Sequence, residues 1–197
     1  MMLRANVKHL VMLVALSFLL TACAIAPDQK ASTTKEENVV VDPDVQQLFD
    51  KAVVLLKQKD YDNAITLLNT VVAREHRLTA PYIDLGMAYR EKGNNKKAEA
   101  NLMKALDIDL ANPVANNELG LLYRSLGRFN DAKKAYTNAL TRHPDYLPVI
   151  RNLGILCDIY LNNLDCALEQ YEKYQELKPG DKDVKNWIAD LKGRMGK

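Results

Sequence analysis

The amino-acid sequence predicts an all-α fold in which pairs of helices stack into a solenoid that a C-terminal helix caps. Two observations lead to this prediction. After residue 42 the 197-residue chain repeats itself with a period of about 34 residues, and a fixed period of that length is typical of repeat architectures. Within each repeat, apolar or small residues recur at helical spacing, as Leu119, Gly120 and Tyr123 do, which indicates amphipathic helices.

The third repeat shows the pattern most completely. Its signature residues are Leu119, Gly120, Tyr123, Gly127, Phe129, Ala132, Tyr136, Ala139, Leu140 and Pro144. Steps of one period in either direction meet similar residues, and the four copies lie at 45–78, 79–112, 113–146 and 147–181. The step from Pro144 to Pro179 is one residue longer than the steps between the earlier copies, which predicts one extra residue in the turn between the helices of the fourth copy.

Glycine occupies the same place in three copies, at Gly86, Gly120 and Gly154, in the middle of each predicted first helix. Glycine in a helix interior costs about 1 kcal/mol relative to alanine. We therefore expect these glycines to allow close approach of the second helix. A phosphate-binding role is not predicted, because the sequence contains neither a Gly-x-Gly-x-x-Gly nor a Walker pattern.

These residues and their spacing resemble the tetratricopeptide repeat (TPR) family over residues 45–181. The resemblance implies a right-handed superhelical solenoid of four TPR helix pairs. Residues 182–194 follow the last copy and are predicted to form a capping helix that covers its exposed core face. The apolar side of this helix consists of Val184, Trp187, Ile188 and Leu191. Because Asp42-Pro43 is a good helix start, the predicted solenoid spans residues 43–195.

Residues 1–22 are predicted to be a signal peptide. Arg4 and Lys8 precede an eleven-residue apolar run, which is short for a helix that must span a bilayer with about 20 residues. The run ends at Leu20-Thr21-Ala22-Cys23, which resembles the lipobox of bacterial lipoproteins and implies a lipid on Cys23. An uncleaved signal anchor with an incidental cysteine is the alternative.

The resemblance to lipoproteins also implies a location. Ala24, rather than aspartate, follows the cysteine, which favours the outer membrane over the inner membrane and places the chain on its periplasmic face. Residues 23–42 are predicted to form the lipidated cysteine and a flexible tether, since they are mostly polar and lack a helical pattern.

The charge and the histidines argue against two kinds of site. Without Arg4 and Lys8 of the signal peptide, the chain has 25 basic and 25 acidic side chains, so nucleic acid is not an expected partner. His76 and His143 have no cluster of Cys, His or carboxylates around them at fixed spacing. We therefore predict no metal site.

Catalytic motifs are absent from the sequence as well. No serine lies in a Gly-x-Ser-x-Gly motif, and acidic residues such as Glu91, Glu99 and Glu118 are predicted to lie on solvated helix faces. The sequence therefore predicts a binding protein and not an enzyme, with no cofactor and no small-molecule substrate.

The first helices of stacked pairs line the inner wall of such a superhelix. The row Val53, Met87, Leu121 and Ile155 is apolar in all four copies, either through ordinary helix packing or because it binds an apolar partner. The predicted groove consists of Phe49, Val53, Leu56, Ile83, Met87, Arg90, Asn117, Leu121, Arg124, Arg151 and Ile155. Such a groove suits an amphipathic helix or an extended apolar peptide of a protein partner.

A lipidated N-terminus followed by TPR pairs is similar in plan to the TPR pilotin lipoproteins of type IV pilus systems. That resemblance implies a periplasmic adaptor that binds a secretin subunit and promotes its assembly in the outer membrane. Two alternatives stay open: a docking regulator of peptidoglycan hydrolases, and an accessory subunit of an energised complex of the TonB and ExbB–ExbD type.

Cys157 and Cys166 are the thiols that remain once Cys23 is modified. They lie on either side of the turn in the fourth copy, and two nearby thiols tend to pair in an oxidising compartment such as the periplasm. We therefore predict a disulfide between Cys157 and Cys166, and the alternative is two independent thiols.

Overall fold

The structure is a computed structural model that describes residues 40–196, and within this range the chain is helical without a strand. The helices are α1 Pro43–Lys57, α2 Tyr61–Arg74, α3 Thr79–Glu91, α4 Asn95–Ile108, α5 Pro113–Ser125, α6 Phe129–Arg142, α7 Leu147–Ile155, α8 Leu164–Leu177 and α9 Lys182–Arg194. A π-helical segment, Leu156–Tyr160, continues α7. The predicted signal peptide and Cys23 lie outside the described residues, as does nearly all of the predicted tether.

The helices pack as four antiparallel pairs, and this confirms the predicted fold class. Each odd-numbered helix from α1 to α7 packs on the helix that follows it, and each second helix also packs on the first helix of the next pair. The first helices α1, α3, α5 and α7 contact one another in series, so they form one continuous layer of the superhelical solenoid. Helix α9 packs on α8 at the C-terminal end, where the capping helix was predicted.

Polar side chains determine where most of these helices begin. N-cap residues accept a hydrogen bond from a backbone N–H of the first turn, which satisfies a donor that has no partner within the helix. These N-caps are Asp42, Asp60, Asn94, Asn112, Asn163 and Asp181. Proline in the first turn of α1, α5 and α7 also favours a start there, since its ring presets the helical φ.

The mid-helix glycines lie where the paired helices touch. A Cβ on Gly86 would lie 2.6 Å from Cγ of Leu102, and one on Gly154 would lie 2.5 Å from Cε1 of Tyr171. These distances leave no space for a methyl group, and the side chains they meet are almost fully buried. This confirms the packing interpretation of the glycines.

The extra residue of the fourth pair does not lie in its turn, which corrects the prediction. In the third pair the Arg128 N–H donates to the Tyr123 carbonyl across five residues, at 2.9 Å. In the fourth pair the Asn163 N–H donates to the Cys157 carbonyl across six residues, at 2.8 Å. The added residue is therefore accommodated inside the helix as the π-helical segment, which keeps the following turn close to the form of the earlier ones.

No helix between residues 40 and 196 combines the length and the apolar character that a bilayer-spanning helix requires.

Candidate functional site

The candidate site is the side of α1, α3, α5 and α7 that faces away from the second helices, called the inner wall here. Val53, Met87, Leu121 and Ile155 hold the same place on these four helices, and each is partly exposed. Met87 and Ile155 also pack against the edge of the core. All four side chains are thus partly buried and still present apolar surface, and two of them also contribute to core packing.

Two residues of the predicted groove are not at the surface. Ile83 is 6% exposed and Asn117 is 8% exposed, because successive first helices pack together and cover this edge of each helix. The projection of a single helix does not include the neighbouring helix, and therefore it does not reveal the burial of these two residues. Phe49 and Leu56 stay partly exposed. Because Ile83 and Asn117 are buried, the exposed groove contains fewer residues than predicted.

Glu118 is buried, which corrects the expectation that it lies on a solvated face. It is 8% exposed, and its Oε2 accepts a hydrogen bond from Nη1 of Arg90 at 2.6 Å. Glu99 is half-buried rather than solvated, and it accepts hydrogen bonds from Arg128 and from the Tyr123 hydroxyl. Two of the three acidic residues are thus parts of ion pairs between neighbouring helix pairs.

A line of polar side chains continues from this ion pair along the inner wall. Asn117 donates to Glu118 at 3.3 Å and accepts a hydrogen bond from Nδ2 of Asn152 at 2.8 Å. The line connects α5 with α7. The repeat pattern alone does not indicate this line. The opposite charges of Arg90 and Glu118, 28 positions apart, are the one signal of it in the sequence.

Arg124 extends the line but has no acidic partner. Its Nη1 is buried without a hydrogen-bond partner among the described residues, and the centre of its guanidinium lies 5.8 Å from the Tyr160 ring centroid. A cation over an aromatic face is weakly favourable, yet the ring supplies no oxygen to accept the buried N–H. The guanidinium is therefore incompletely satisfied within residues 40–196.

Asp84, on α3, is an acidic residue without a basic partner among residues 40–196. It is partly buried and makes neither a hydrogen bond nor an ion pair with another described residue. Loss of solvent around its carboxyl raises the pKa from 3.8 to about 6, because burial disfavours the charged form.

The last groove residue, Arg151, is exposed and lies near the capping helix. Its guanidinium is 5.2 Å from the Trp187 ring, which in turn lies 5.3 Å from the Tyr171 ring. This arrangement places Arg151 at the end of the inner wall and assigns Trp187 to the contact between the cap and the fourth pair.

Cys157 and Cys166 are joined by a disulfide in the structure, with their Cα atoms 5.8 Å apart. Cys157 is fully buried in the π-helical segment, whereas Cys166 lies partly exposed in the first turn of α8. The bond links the π-helical end of the first helix to the second helix of its pair.

Among residues 40–196, no group of three or more His, Cys, Asp and Glu side chains is arranged to hold a metal ion.

Comparison with known proteins supports two of the four copies. Residues 80–112 and 114–146 match the tetratricopeptide repeat model. A curated relative, the human N-alpha-acetyltransferase 16, NatA auxiliary subunit, is 27% identical over 156 residues, which are 77% of this chain but 18% of the relative. The chain therefore spans less than a fifth of that protein.

Two solved structures have the same fold. A thermophilic TPR protein of Thermus thermophilus is 28% identical with a TM-score of 0.64, covering 76% of this chain and 81% of that one. PilF of Pseudomonas aeruginosa is 20% identical with a TM-score of 0.69, covering 77% of this chain and 68% of that one. At its level of identity, the second likeness concerns the fold alone.

Proposed function

We propose that this chain, a tetratricopeptide repeat protein, is an adaptor that binds an apolar segment of a protein partner on its inner wall. A lipid on Cys23 holds it at the periplasmic face of the bacterial outer membrane. The fold is typical of adaptors that act by binding, and the proposed role involves no catalysis.

The observation that carries the binding role is the row Val53, Met87, Leu121 and Ile155. Four apolar side chains at equivalent places of four packed helices all keep part of their surface exposed. Met87 and Ile155 also pack against the core, but core packing does not require an apolar residue at the same partly exposed place of all four copies. A continuous apolar stripe along a wall of parallel helices is a surface on which an apolar peptide can dock.

The membrane anchor is supported by the sequence, and the periplasmic location is supported by one feature of the structure. The lipobox-like tetrad before Cys23 favours lipidation. The disulfide between Cys157 and Cys166 suits an oxidising compartment, and the periplasm is one.

The finer form of the proposal is an assembly factor for a type IV pilus machine, which acts on a secretin subunit. Its support is the plan of the chain, a lipoprotein signal followed by TPR pairs. The likeness to PilF is consistent with this role through the fold only.

The binding role is tested by paired substitutions on the two sides of the solenoid. Met87→Glu with Leu121→Glu places charge on the inner wall, whereas Met103→Glu with Leu110→Glu places the same charge on exposed residues of α4 and the loop after it. We expect the inner-wall variant to lose the proteins that cross-link and co-purify with the wild type, and the control variant to keep them. Both variants should keep the helical circular dichroism of the wild type. Retention of the same partners by a folded inner-wall variant would contradict the proposal.

A further inference from the structure

The ion pair between Arg90 and Glu118 joins defined positions of two successive repeats. Arg90 is the twelfth residue of the copy 79–112, and Glu118 is the sixth residue of the next copy. Their side chains meet between α3 and α5 at 2.6 Å, with Arg90 at 23% and Glu118 at 10% side-chain exposure. We call such a pair, the twelfth residue of one copy and the sixth residue of the next, a rung.

The rungs on either side of this pair are each incomplete. The preceding rung joins Leu56 to Asp84, so the carboxylate has no cation. The following rung joins Arg124 to Asn152, whose amide donates to Asn117 instead, so the guanidinium has no acid.

At the C-terminal end of the array, the charged twelfth residue does have a partner of opposite charge. Asp158, the twelfth residue of the fourth copy, accepts a hydrogen bond from Nη1 of Arg194 on the capping helix at 2.8 Å. The capping helix therefore supplies the cation that pairs with the twelfth residue of the fourth copy. Among residues 40–196, the incomplete rungs leave one partly buried negative group, Asp84, and one partly buried positive group, Arg124, with a complete ion pair between them.

Both unpaired groups have lost part of their solvation without gaining a partner. The carboxyl of Asp84 is desolvated, and Nη1 of Arg124 is fully buried with no acceptor among residues 40–196. Buried polar groups are usually hydrogen-bonded and partly buried charges are usually paired, so each group has an unfilled requirement of defined sign.

We propose that the docked partner segment completes both rungs, with a lysine or arginine on Asp84 and an aspartate or glutamate on Arg124. The proposal rests on the proposed binding function and specifies the partner's chemistry. The occupant is an apolar peptide segment that carries one basic and one acidic residue in a fixed order along the array. The two charges give the docked segment a direction, because a reversed segment would bring like charges together.

The spacing of the partner's two charges follows from the spacing of the helices. Packed helices lie about 8–10 Å apart, and the incomplete rungs are separated by two such steps, or roughly 16–20 Å. A helical segment would need about 11–13 residues between the charges, and an extended one about 5–6 residues.

The test uses synthetic apolar peptides as probes and the full-length mature chain in detergent. Each peptide carries one lysine and one glutamate, in either order, and the series covers the separations expected for a helical and for an extended segment. Peptides with glutamine at one or both charged places are the matched controls, and fluorescence anisotropy measures affinity. At one spacing and order, we expect the charged peptide to bind about 100-fold more tightly than its doubly neutral control, about tenfold for each charge.

Variants of the chain separate the two rungs. Asp84→Asn should remove the tenfold advantage of lysine only, and Arg124→Gln should remove that of glutamate only. Leu56→Arg, which supplies a cation from the chain itself, should act on binding as Asp84→Asn does. Asp50→Asn, at the exposed sixth place of the first copy, is the control and should leave every affinity unchanged.

Two results would overturn the inference in distinguishable ways. If the peptides bind equally well whether charged or neutral, or if only one charge matters, the two-rung assignment is wrong while the adaptor role stands. If no apolar peptide of either series binds, the inner wall is not a docking surface and the proposed function fails with the inference.

Discussion

Gly120 offers a sharp test of how the helix pairs are held together. A Cβ at this position would lie 2.7 Å from Cδ1 and Cζ of the Tyr136 ring, and that ring is fully buried. Gly120→Ala should therefore force the ring or the α6 backbone to move. Overpacking of this kind costs about 1–3 kcal/mol, and the better helix propensity of alanine returns about 1 kcal/mol. We expect the free energy of unfolding to fall by up to about 2 kcal/mol.

Gly193 provides the matched control, because it also lies in a helix but has no neighbouring atom within 4 Å of the place that a Cβ would take. Gly193→Ala should raise the free energy of unfolding by up to about 1 kcal/mol through helix propensity alone. Urea unfolding followed by circular dichroism measures both variants against the wild type. If the two substitutions change stability with the same sign, the close approach of α5 and α6 does not determine the choice of glycine.

Three further predictions concern the disulfide, a partly buried carboxyl and the anchor. The double variant Cys157→Ala and Cys166→Ala should lose about 2–3 kcal/mol of stability, and reductant should lower the midpoint of urea unfolding of the wild type but not of this variant. The raised pKa of Asp84 means that its folded state holds the proton more tightly than its unfolded state. As the pH rises from about 4 to about 6, the free energy of unfolding of the wild type should therefore fall by up to about 2 kcal/mol relative to that of Asp84→Asn. A difference in stability that stays constant over this pH range would contradict the raised pKa. Cys23→Ser should release the mature chain from the membrane fraction, and unchanged fractionation would refute the lipid anchor.

The repeating features of the fold could be predicted because they depend on local sequence. A fixed repeat period and, in three of the four copies, a glycine at the tightest contact locate the helix pairs. The first helices of the last three pairs begin at Thr79, Pro113 and Leu147, where the predicted copies begin.

The features that could not be predicted depend on contacts between repeats or on alternative hydrogen bonding. The burial of Ile83, Asn117 and Glu118 arises where one first helix covers the next, and the projection of a single helix does not contain that neighbour. The extra residue of the fourth copy could be counted from the sequence. Its place inside the helix depends on which carbonyl the Asn163 N–H selects.

The central claim, that a partner segment lies along the inner wall, is tested most directly by photo-crosslinking from single positions in the living cell. A photoreactive amino acid at Leu121 reports on the inner wall, and the same residue at Met103, on α4, reports on the other side. We predict that position 121 cross-links to an apolar segment of one protein, identified by mass spectrometry of the joined peptides, and that position 103 does not. Cross-links to that segment from position 103, with none from position 121, would contradict it.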